Sequence, residues 1–313
     1  MNSFLHIKDA RYFQIIFQSI FLLYGIFYLQ WANEGMCFLW YASSCLAAQF
    51  IFELIQHRFS VTSPDFWNKF YNGCKSALIT AFGLCLLLKT NLWYICILAA
   101  FISIAGKYIF RYKKKHVFNP SALGITVTIL LTGNAWISPG QWGNDVVIMF
   151  GVCCLGCIVV TKVQKLDVSI AFLGTYILLL FARQILYLGW PPDYFIQSIT
   201  TGSLLLFSFF MISDPKTTPD HKTARIIWAV LIGILSFYLN AFKFVNAAPV
   251  WVLVLSAPLV PVLDTIFRSK RFLWVRHNLF KDAKRSVVEG SEPISLWGQI
   301  IPGKGTQSQL TTN

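Results

Sequence analysis

The feature that most constrains this chain is a succession of apolar runs separated by short polar connections. Of its 313 residues, 56% are hydrophobic and only 12% are charged, whereas soluble domains carry about 25% charged residues. Several of the runs approach the ~20 residues that a helix needs to cross a bilayer. Ten runs can be marked, at about 12–31, 36–54, 74–88, 92–110, 119–133, 146–161, 168–187, 200–213, 224–242 and 249–267. The sequence therefore predicts an all-α polytopic membrane protein with about ten transmembrane helices.

Three of these runs, the third, fifth and eighth, are shorter than a full span and are flanked or interrupted by Gly, Pro or Asn. Membrane proteins place such interrupted helices beside a ligand. The eighth run opens with small hydroxyl-bearing residues and stops at Asp-Pro, and the fifth opens with Asn-Pro. The predicted binding residues are Thr200, Thr201, Gly202, Ser203, Asn119, Pro120, Ser121, Asp214 and Pro215.

Each of these motifs also has a simpler interpretation. Asn119-Pro120 is equally typical of an ordinary helix start with proline in the first turn. Asp214 could form a salt bridge with Lys107 or Arg111, or it could cap the turn that begins at Pro215.

The distribution of positive charge predicts the orientation. With the N-terminus inside, all but three of the 26 Lys and Arg residues fall on the cytoplasmic side, the exceptions being Lys89, Arg183 and Lys243. Such a bias is what orients membrane proteins. Both termini are therefore expected in the cytoplasm, and the net charge of +13 indicates the inner face of a lipid bilayer rather than a nucleic-acid partner.

An internal repeat emerges when the chain is compared with itself. Lys89-Thr90 matches Lys216-Thr217 at an offset of 127 residues, and Asn119 matches Asn246 at the same offset. Five spans per half is an odd number, so the second half is expected to insert upside down. We expect one transmembrane domain over 1–267, with repeats of about 1–140 and 141–267, and a basic cytoplasmic juxtamembrane tail over 268–313.

The cysteines are the weak candidates for a metal site. Cys153, Cys154 and Cys157 lie three and four residues apart on one predicted helix, a spacing that could ligate a metal. Small cysteines inside apolar runs are more often packing residues, so no metal site is expected. The sequence contains no motif for hydrolytic catalysis.

Two stretches resemble a known family. TTGSLLLFSFFMISDPKTTP, at 200–219, and FNPSALG, at 118–124, are similar to the D subunit of the Rnf complex and the B subunit of Na⁺-translocating NADH:quinone reductase, in particular the UnbU-like branch found with enediyne biosynthesis genes. The resemblance implies ten helices in two inverted halves, a fold shared with urea channels. It also implies electron transfer through flavin, in the bacterial inner membrane, as one of several membrane subunits.

The sequence departs from the family at the flavin attachment site. Members with covalent flavin mononucleotide (FMN) attach it through the threonine of a Ser-Gly-Ala-Thr motif, and the matching residues here are Thr201, Gly202, Ser203 and Leu204. Leucine has no hydroxyl group and cannot form the phosphoester, so covalent FMN is not expected. A non-covalent flavin or a quinone is the alternative cofactor. A small-solute channel or a structural scaffold on the same fold is the alternative function, and whether the chain is itself an enzyme stays open.

Overall fold

The computed structural model describes residues 9–31, 34–57, 64–113, 115–138, 146–267 and 269. Within its helices, the side chains of residues 34, 64, 65, 146–150, 152 and 154 lie outside this description. Apart from Ser269, the predicted tail over 268–313 also lies outside the described residues.

The first half of the chain forms five helices. They are α1 (Ala10–Phe27), α2 (Glu34–Gln56), α3 (Pro64–Leu87), α4 (Trp93–Ile109) and α5 (Pro120–Thr132). Four short strands connect them, β1 (Leu88–Thr90), β2 (Arg111–Tyr112), β3 (Lys115–His116) and β4 (Ala135–Ile137).

The second half contains more interruptions. Its helices are α6 (Val146–Val163), α7 (Leu166–Phe181), α8 (Pro192–Ile199), α9 (Gly202–Leu206), α10 (Lys222–Lys243), α11 (Ala248–Ser256) and α12 (Leu259–Ile266). Two of them continue directly into π-helical segments, α7 into Ala182–Tyr187 and α9 into Phe207–Met211. Short π-helical insertions of this kind are frequent at functional sites.

The helices are those of a polytopic membrane protein. In the described part of the chain, five are long and apolar enough to cross a membrane, or seven if each of two bent pairs counts as one span. The bent pairs are α8 with α9 and its π segment, at 44°, and α11 with α12, at 53°. Helices α4 and α5 are apolar but shorter. Each of the ten predicted runs overlaps a helix or a bent pair, and the count of ten spans stays a prediction.

The prediction that the third run is short was wrong. Helix α3 is continuous over 24 residues and begins about ten residues before the predicted run. Its first turns contain polar residues such as Asn68 and Lys69, which lower the local hydropathy. Phe66, in the same turns, is fully buried, because the helix is amphipathic there and packs through its apolar face.

The helices of the two halves pack in the same order. Helix α4 packs on α2 and α5, and α10 packs on α7 and α11. Between the halves, α1 contacts α6 and α5 contacts α11. The predicted repeat would produce this pattern, and the inverted relationship of the halves stays a prediction.

Two antiparallel strand pairs lie at opposite ends of the helices of the first half. Strand β1 pairs with β4 where α3 and α5 end and α4 begins, with Lys89 opposite Trp136; we call this the Lys89 end. Strand β2 pairs with β3 between the end of α4 and the start of α5; we call this the Lys115 end.

The outer surface of the helices is apolar. Leu130, Leu131 and Leu178 are 72%, 69% and 67% exposed. The interior holds large side chains such as Trp228, Phe172 and Phe207, which are buried almost completely. Helices that are apolar both where they pack together and where they are exposed are typical of membrane proteins.

Candidate functional site: an uncharged cavity at the start of α9

The two signature motifs contact each other directly. Asn119 is the N-cap of α5, and its Oδ1 accepts a hydrogen bond from the backbone N–H of Ala122 at 3.2 Å. Its Nδ2 donates to the carbonyl oxygen of Met211, in the second π segment, at 3.2 Å. Asparagine caps a helix in this way because its side chain replaces a missing intrahelical partner. One buried side chain therefore starts α5 and joins it to the second half.

Ser121, the next predicted binding residue, packs against α3. Its hydroxyl donates to the carbonyl oxygen of Thr80 at 3.3 Å. A Cβ atom at Gly83 would lie 2.6 Å from this hydroxyl oxygen, so the glycine makes the close approach of α3 and α5 possible. Pro120 is the first residue of α5 and is buried. Pro120 and Ser121 thus lie in the packed helix interface, outside the cavity described below.

The Asp214-Pro215 motif forms a capped turn. Asp214 Oδ1 accepts a hydrogen bond from the N–H of Lys216 at 3.0 Å, and the Asp214 carbonyl oxygen accepts from the N–H groups of Thr217 and Thr218, each at 3.1 Å. Burial raises the pKa of the Asp214 carboxyl, against the opposing effect of Lys216. The capping interpretation is therefore confirmed.

The alternative salt bridge to Asp214 is not formed among the described residues. Lys107 Nζ instead donates to Gln49 Oε1 at 2.8 Å. Arg111 Nε donates to the carbonyl oxygen of Lys107 at 2.8 Å. Both side chains therefore donate to neighbouring polar groups of α2 and α4 instead.

An ion-pair cluster connects the end of this turn to the first half. Lys115 Nζ lies 2.7 Å from Asp264 Oδ2 and 3.2 Å from Asp220 Oδ1. Asp220 also donates its backbone N–H to Asp264 Oδ1 at 2.8 Å. Hairpin β2–β3, the turn after Asp214 and helix α12 therefore meet at the Lys115 end.

The residues that open α9 line a cavity of about 200 Å³. Thr201 is the N-cap of α9 and its side chain makes no capping hydrogen bond. Thr201, Ser203 and Leu204 contribute to the cavity wall, and Gly202 is buried between them. The full lining is Leu87, Ile137, Tyr176, Leu180, Gln184, Ser198, Thr201, Ser203, Leu204, Phe207, Asn240, Ala247, Pro249 and Val250.

The cavity wall is uncharged, and its polar groups come from several helices. None of the fourteen described lining residues is charged. Asn240 Nδ2 donates to the Tyr176 hydroxyl at 3.1 Å. Gln184 Nε2 donates to the Ser198 hydroxyl at 3.2 Å, whereas Gln184 Oε1 is buried and has no hydrogen-bond partner within the described protein. A buried amide oxygen without a partner carries a desolvation penalty that a ligand donor can relieve.

The π-helical segments shape this cavity. Gln184 belongs to the first π segment and Phe207 begins the second. A π segment inserts an extra residue into a helical turn and so redirects the side chains that follow. Side chains from two interrupted helices are thereby turned towards one volume.

The structure brings together only some of the predicted binding residues. Thr201 and Ser203 line the cavity; Thr200, the C-cap of α8, donates its hydroxyl to the Gln197 carbonyl oxygen at 3.4 Å. Asn119 lies near Met211, and Asp214 and Pro215 lie in the turn beyond it.

The sequence analysis did not predict four polar residues of the cavity wall, Tyr176, Gln184, Ser198 and Asn240. For Gln184 a signal was present, because a polar amide beside Arg183 is unusual inside an apolar run.

Covalent FMN does not fit the residues present. Leu204, at the position that matches the family's acceptor threonine, presents only hydrocarbon to the cavity. The volume of about 200 Å³ is below the 300–1,000 Å³ that is usual for ligand pockets, and the wall offers no charged partner for a phosphate. A single neutral ring fits this wall better than a nucleotide does.

The three candidate cysteines of α6 are only partly described. Cys153 is partly buried and Cys157 is exposed, while the side chain of Cys154 lies outside the described residues. Among the described residues, no group of three or more His, Cys, Asp or Glu side chains could hold a metal ion.

Comparison with known proteins shows a similarity to one family. The model of the NQR2, RnfD, RnfE family matches residues 129–273, which include every described cavity residue except Leu87. Curated relatives are named as the D subunits of ion-translocating oxidoreductase complexes. That of Stutzerimonas stutzeri is 31% identical over 24% of this chain and 21% of its own length. That of Shewanella frigidimarina is 24% identical over 48% of this chain and 43% of its own length.

These matches cover less than half of each protein. The relative from Buchnera aphidicola, 26% identical, is matched over 43% of this chain and 34% of its own length. The FNPSALG stretch lies before the matched residues of the family model, and the UnbU-like branch stays an expectation. Over residues 129–273, from the end of α5 beyond α12, this chain is similar to the NQR2, RnfD, RnfE family.

Proposed function

We propose that this protein is an integral membrane subunit of an RnfD-like electron-transfer system that works without covalent FMN. The observation that carries the proposal is the position of Thr201, Ser203 and Leu204. They match the family's flavin-attachment motif and line the uncharged cavity. The relatives are named as subunits of an ion-translocating oxidoreductase complex, which supports a role beside other membrane subunits in a lipid bilayer.

A non-covalently held redox ring is the cofactor that suits this wall. Gln184 Oε1 can accept a hydrogen bond from a ring N–H or O–H, and the Tyr176 hydroxyl can donate to a ring carbonyl. Phe207 and Leu204 supply apolar contact. A flavin or a quinone, when bound, would supply one- and two-electron transfer. The volume favours the one-ring quinone headgroup over the three-ring flavin.

The bias of positive charge supports a bacterial inner-membrane location with both termini in the cytoplasm. In that orientation the Lys89 end and the cavity face the outside, and the ion-pair cluster around Lys115 faces the cytoplasm. Cysteine-accessibility labelling at positions next to Lys89 and Lys216 tests this. Labelling of both from one side of the membrane would contradict it.

Cofactor analysis tests the redox proposal. The full chain is purified from membranes with its co-purifying neighbours, and the complex is examined by optical spectroscopy and by extraction of flavins and quinones. We expect a bound, extractable redox ring that is lost when Gln184 is replaced by Leu and kept when the exposed Gln197 is replaced by Leu. The absence of any flavin or quinone from the intact complex would contradict the proposal.

Restoring the missing hydroxyl group tests the role of Leu204. When co-expressed with a flavin transferase, Leu204→Thr is expected to gain the mass of one flavin nucleotide. The native chain and the neighbouring variant Leu205→Thr are expected to gain none. A flavin adduct on the native chain would contradict the proposal.

A small-solute channel on the same scaffold is the second candidate. Polar but uncharged groups such as Gln184, Tyr176 and Asn240 in the cavity wall favour it, because they can hydrogen-bond a neutral solute. Uptake of small neutral solutes by proteoliposomes containing the purified chain distinguishes the two candidates. Fast uptake without any bound redox ring supports the channel.

A further inference from the structure

Helix α8 borders the cavity, and little of its surface is buried against the rest of the protein. It has no buried residue, whereas α9, the helix that follows it, buries four of its five residues. Helix α8 packs on α7 and on the π segment that continues α7, and its Ser198 is one of the lining residues of the cavity. Elements with few buried apolar contacts open at a low cost in free energy.

Two side-chain contacts on one face attach α8 to α7 and its π segment. The ring of Phe195 meets that of Phe181 edge to face, at a centroid distance of 5.6 Å. Three residues later, and so on the same face, Ser198 Oγ accepts a hydrogen bond from Gln184 Nε2 at 3.2 Å. The Ser198 hydroxyl in turn donates to the carbonyl oxygen of Tyr194 at 2.8 Å. The Gln184–Ser198 hydrogen bond joins two walls of the cavity, and we call it the latch.

The other face of α8 is apolar and exposed. Tyr194 and Ile196 are 58% and 52% exposed, and Trp190, whose ring lies 5.9 Å from that of Tyr194, is 47% exposed. Exposed Trp and Tyr side chains are typical of the membrane–water interface, and the proposed orientation places this surface at the outer one. On this face α8 therefore borders lipid and water, which yield when a helix moves.

Non-helical backbone flanks α8 on both sides. Before it, Gly189 has a φ of +63°, and a Cβ atom added there would meet nothing within 4 Å, so the residue is needed for its backbone conformation and not for space. After it, Thr200 and Thr201 separate α8 from α9, and the Thr201 side chain makes no capping hydrogen bond. Hinges are a few residues at the ends of elements that absorb changes in φ and ψ. We call these two points the hinges of α8.

We propose that α8 is a lid over the cavity that turns about its two hinges and is held closed by the latch. Opening moves Ser198 out of the cavity wall and leaves Gln184 Nε2 without its acceptor. Gln184 Oε1 is already without a partner within the described protein, so both ends of this amide become available to an entering ligand. The lid thereby links the admission of a ligand to the exposure of the side chain that binds it. It serves a redox ring and a neutral solute equally.

Alkylation of a cysteine placed inside the cavity tests the lid. Because no ligand is used, the result is independent of the proposed redox function. Ser203→Cys puts a thiol in the cavity wall, and the full chain in lipid nanodiscs is treated with iodoacetamide for increasing times. Mass spectrometry of the peptide that contains position 203 gives the alkylation rate. Native Cys45, which is 0% exposed, reports general unfolding in the same sample.

A second substitution breaks the latch. Adding Ser198→Ala removes the acceptor of Gln184 and is expected to raise the alkylation rate at position 203 about 2- to 10-fold, the factor that the loss of one hydrogen bond gives. Adding Gln197→Ala, at an exposed position on α8, is expected to leave the rate unchanged. The Cys45 rate should be the same in all three proteins. Equal rates at position 203 with and without the latch would overturn the proposal. A parallel rise at Cys45 would do so as well, because the opening would then be general unfolding.

Hydrogen exchange of the native chain in nanodiscs gives a measurement that needs no variant. In the closed lid the amides of 196–200 are held by helical hydrogen bonds, such as that from the Thr200 N–H to the Ile196 carbonyl oxygen at 3.0 Å. Because a lid opens without the rest of the protein, these amides are expected to exchange about tenfold faster, or more, than those of 226–240 in α10. Protection of α8 as strong as that of α10 would overturn the proposal.

Discussion

The amide nitrogen of Asn119 donates a hydrogen bond to the carbonyl oxygen of Met211 across 92 positions of sequence. This carbonyl belongs to the second π segment, where the regular helical hydrogen-bond pattern is interrupted. An interrupted helix needs a partner for the groups that it leaves unpaired. The Met211 carbonyl accepts from the Asp214 N–H at 3.3 Å, and the Asn119 amide is a second donor that joins the fifth helix to the element that begins at the cavity.

Replacing Asn119 by Ala is expected to destabilise the protein by about 2 kcal/mol. The substitution removes the N-cap of α5, worth about 1 kcal/mol, and it removes one of the two hydrogen bonds to the Met211 carbonyl, which keeps that of the Asp214 N–H. The measurement is the thermal unfolding midpoint in detergent. Asn134→Ala, at an exposed position after α5, is the control. Equal midpoints for the two variants would contradict the role given to Asn119.

Replacing Gly124 by Ala is expected to separate α4 and α5. The added Cβ would overlap Ser103 Oγ and lie 2.9 Å from the backbone oxygen of Ala99, and backbone cannot move aside cheaply. Overpacking of this kind costs about 1–3 kcal/mol. At Gly174, on α7, an added Cβ would meet nothing within 4 Å, so Gly174→Ala should leave the unfolding midpoint almost unchanged. A smaller loss at Gly124 than at Gly174 would rule out this contact.

Replacing Lys115 by Met is expected to weaken the contact between hairpin β2–β3 and α12. Lys115 is 15% exposed and is shared by the carboxylates of Asp220 and Asp264. Its removal leaves two neighbouring negative charges uncompensated, at a cost on the order of 1–3 kcal/mol because the site is partly solvated. The exposed neighbour Lys113 provides the matched variant Lys113→Met. Limited proteolysis should cut the hairpin faster in the Lys115 variant alone.

The stability of the protein is expected to fall as the pH decreases below about 6.5, in part because of His116. Burial, with Lys107 and Lys216 nearby, lowers the pKa of His116 to about 2 in the folded protein. Its Nδ1 lies 3.0 Å from the carbonyl oxygen of Lys107. Below pH ~6.5 the unfolded chain takes up a proton that the folded chain does not, so protonation favours unfolding.

The check is the slope of the unfolding midpoint between pH 7 and pH 5. His116→Asn can lower the midpoint at every pH, but it should make this slope shallower than that of the native protein. Identical slopes would exclude His116 as a contributor to the acid sensitivity.

Local signals were enough to predict the parts of the site that depend on neighbouring residues. The helix start at Asn119-Pro120 and the turn at Asp214-Pro215 follow from capping and from proline geometry, and both turn out as local rules require. The absence of a hydroxyl at Leu204 is likewise evident from the sequence. The start of α3 was placed too late because a hydropathy window averages over both faces of an amphipathic helix.

The sequence by itself determined the membrane class, the helix-forming runs and the chemistry at the start of α9, because apolar length, charge bias and capping act over a few residues. Only the tertiary structure decided that Gln184, Tyr176 and Asn240 share a cavity wall, and that Lys115 pairs with Asp220 and Asp264. These residues come from different elements of the fold, and in each case the contact depends on how the helices pack. Helix packing is set by close approaches such as that of Gly83 to Ser121, and no local pattern specifies which distant side chain will fill the space that a glycine leaves.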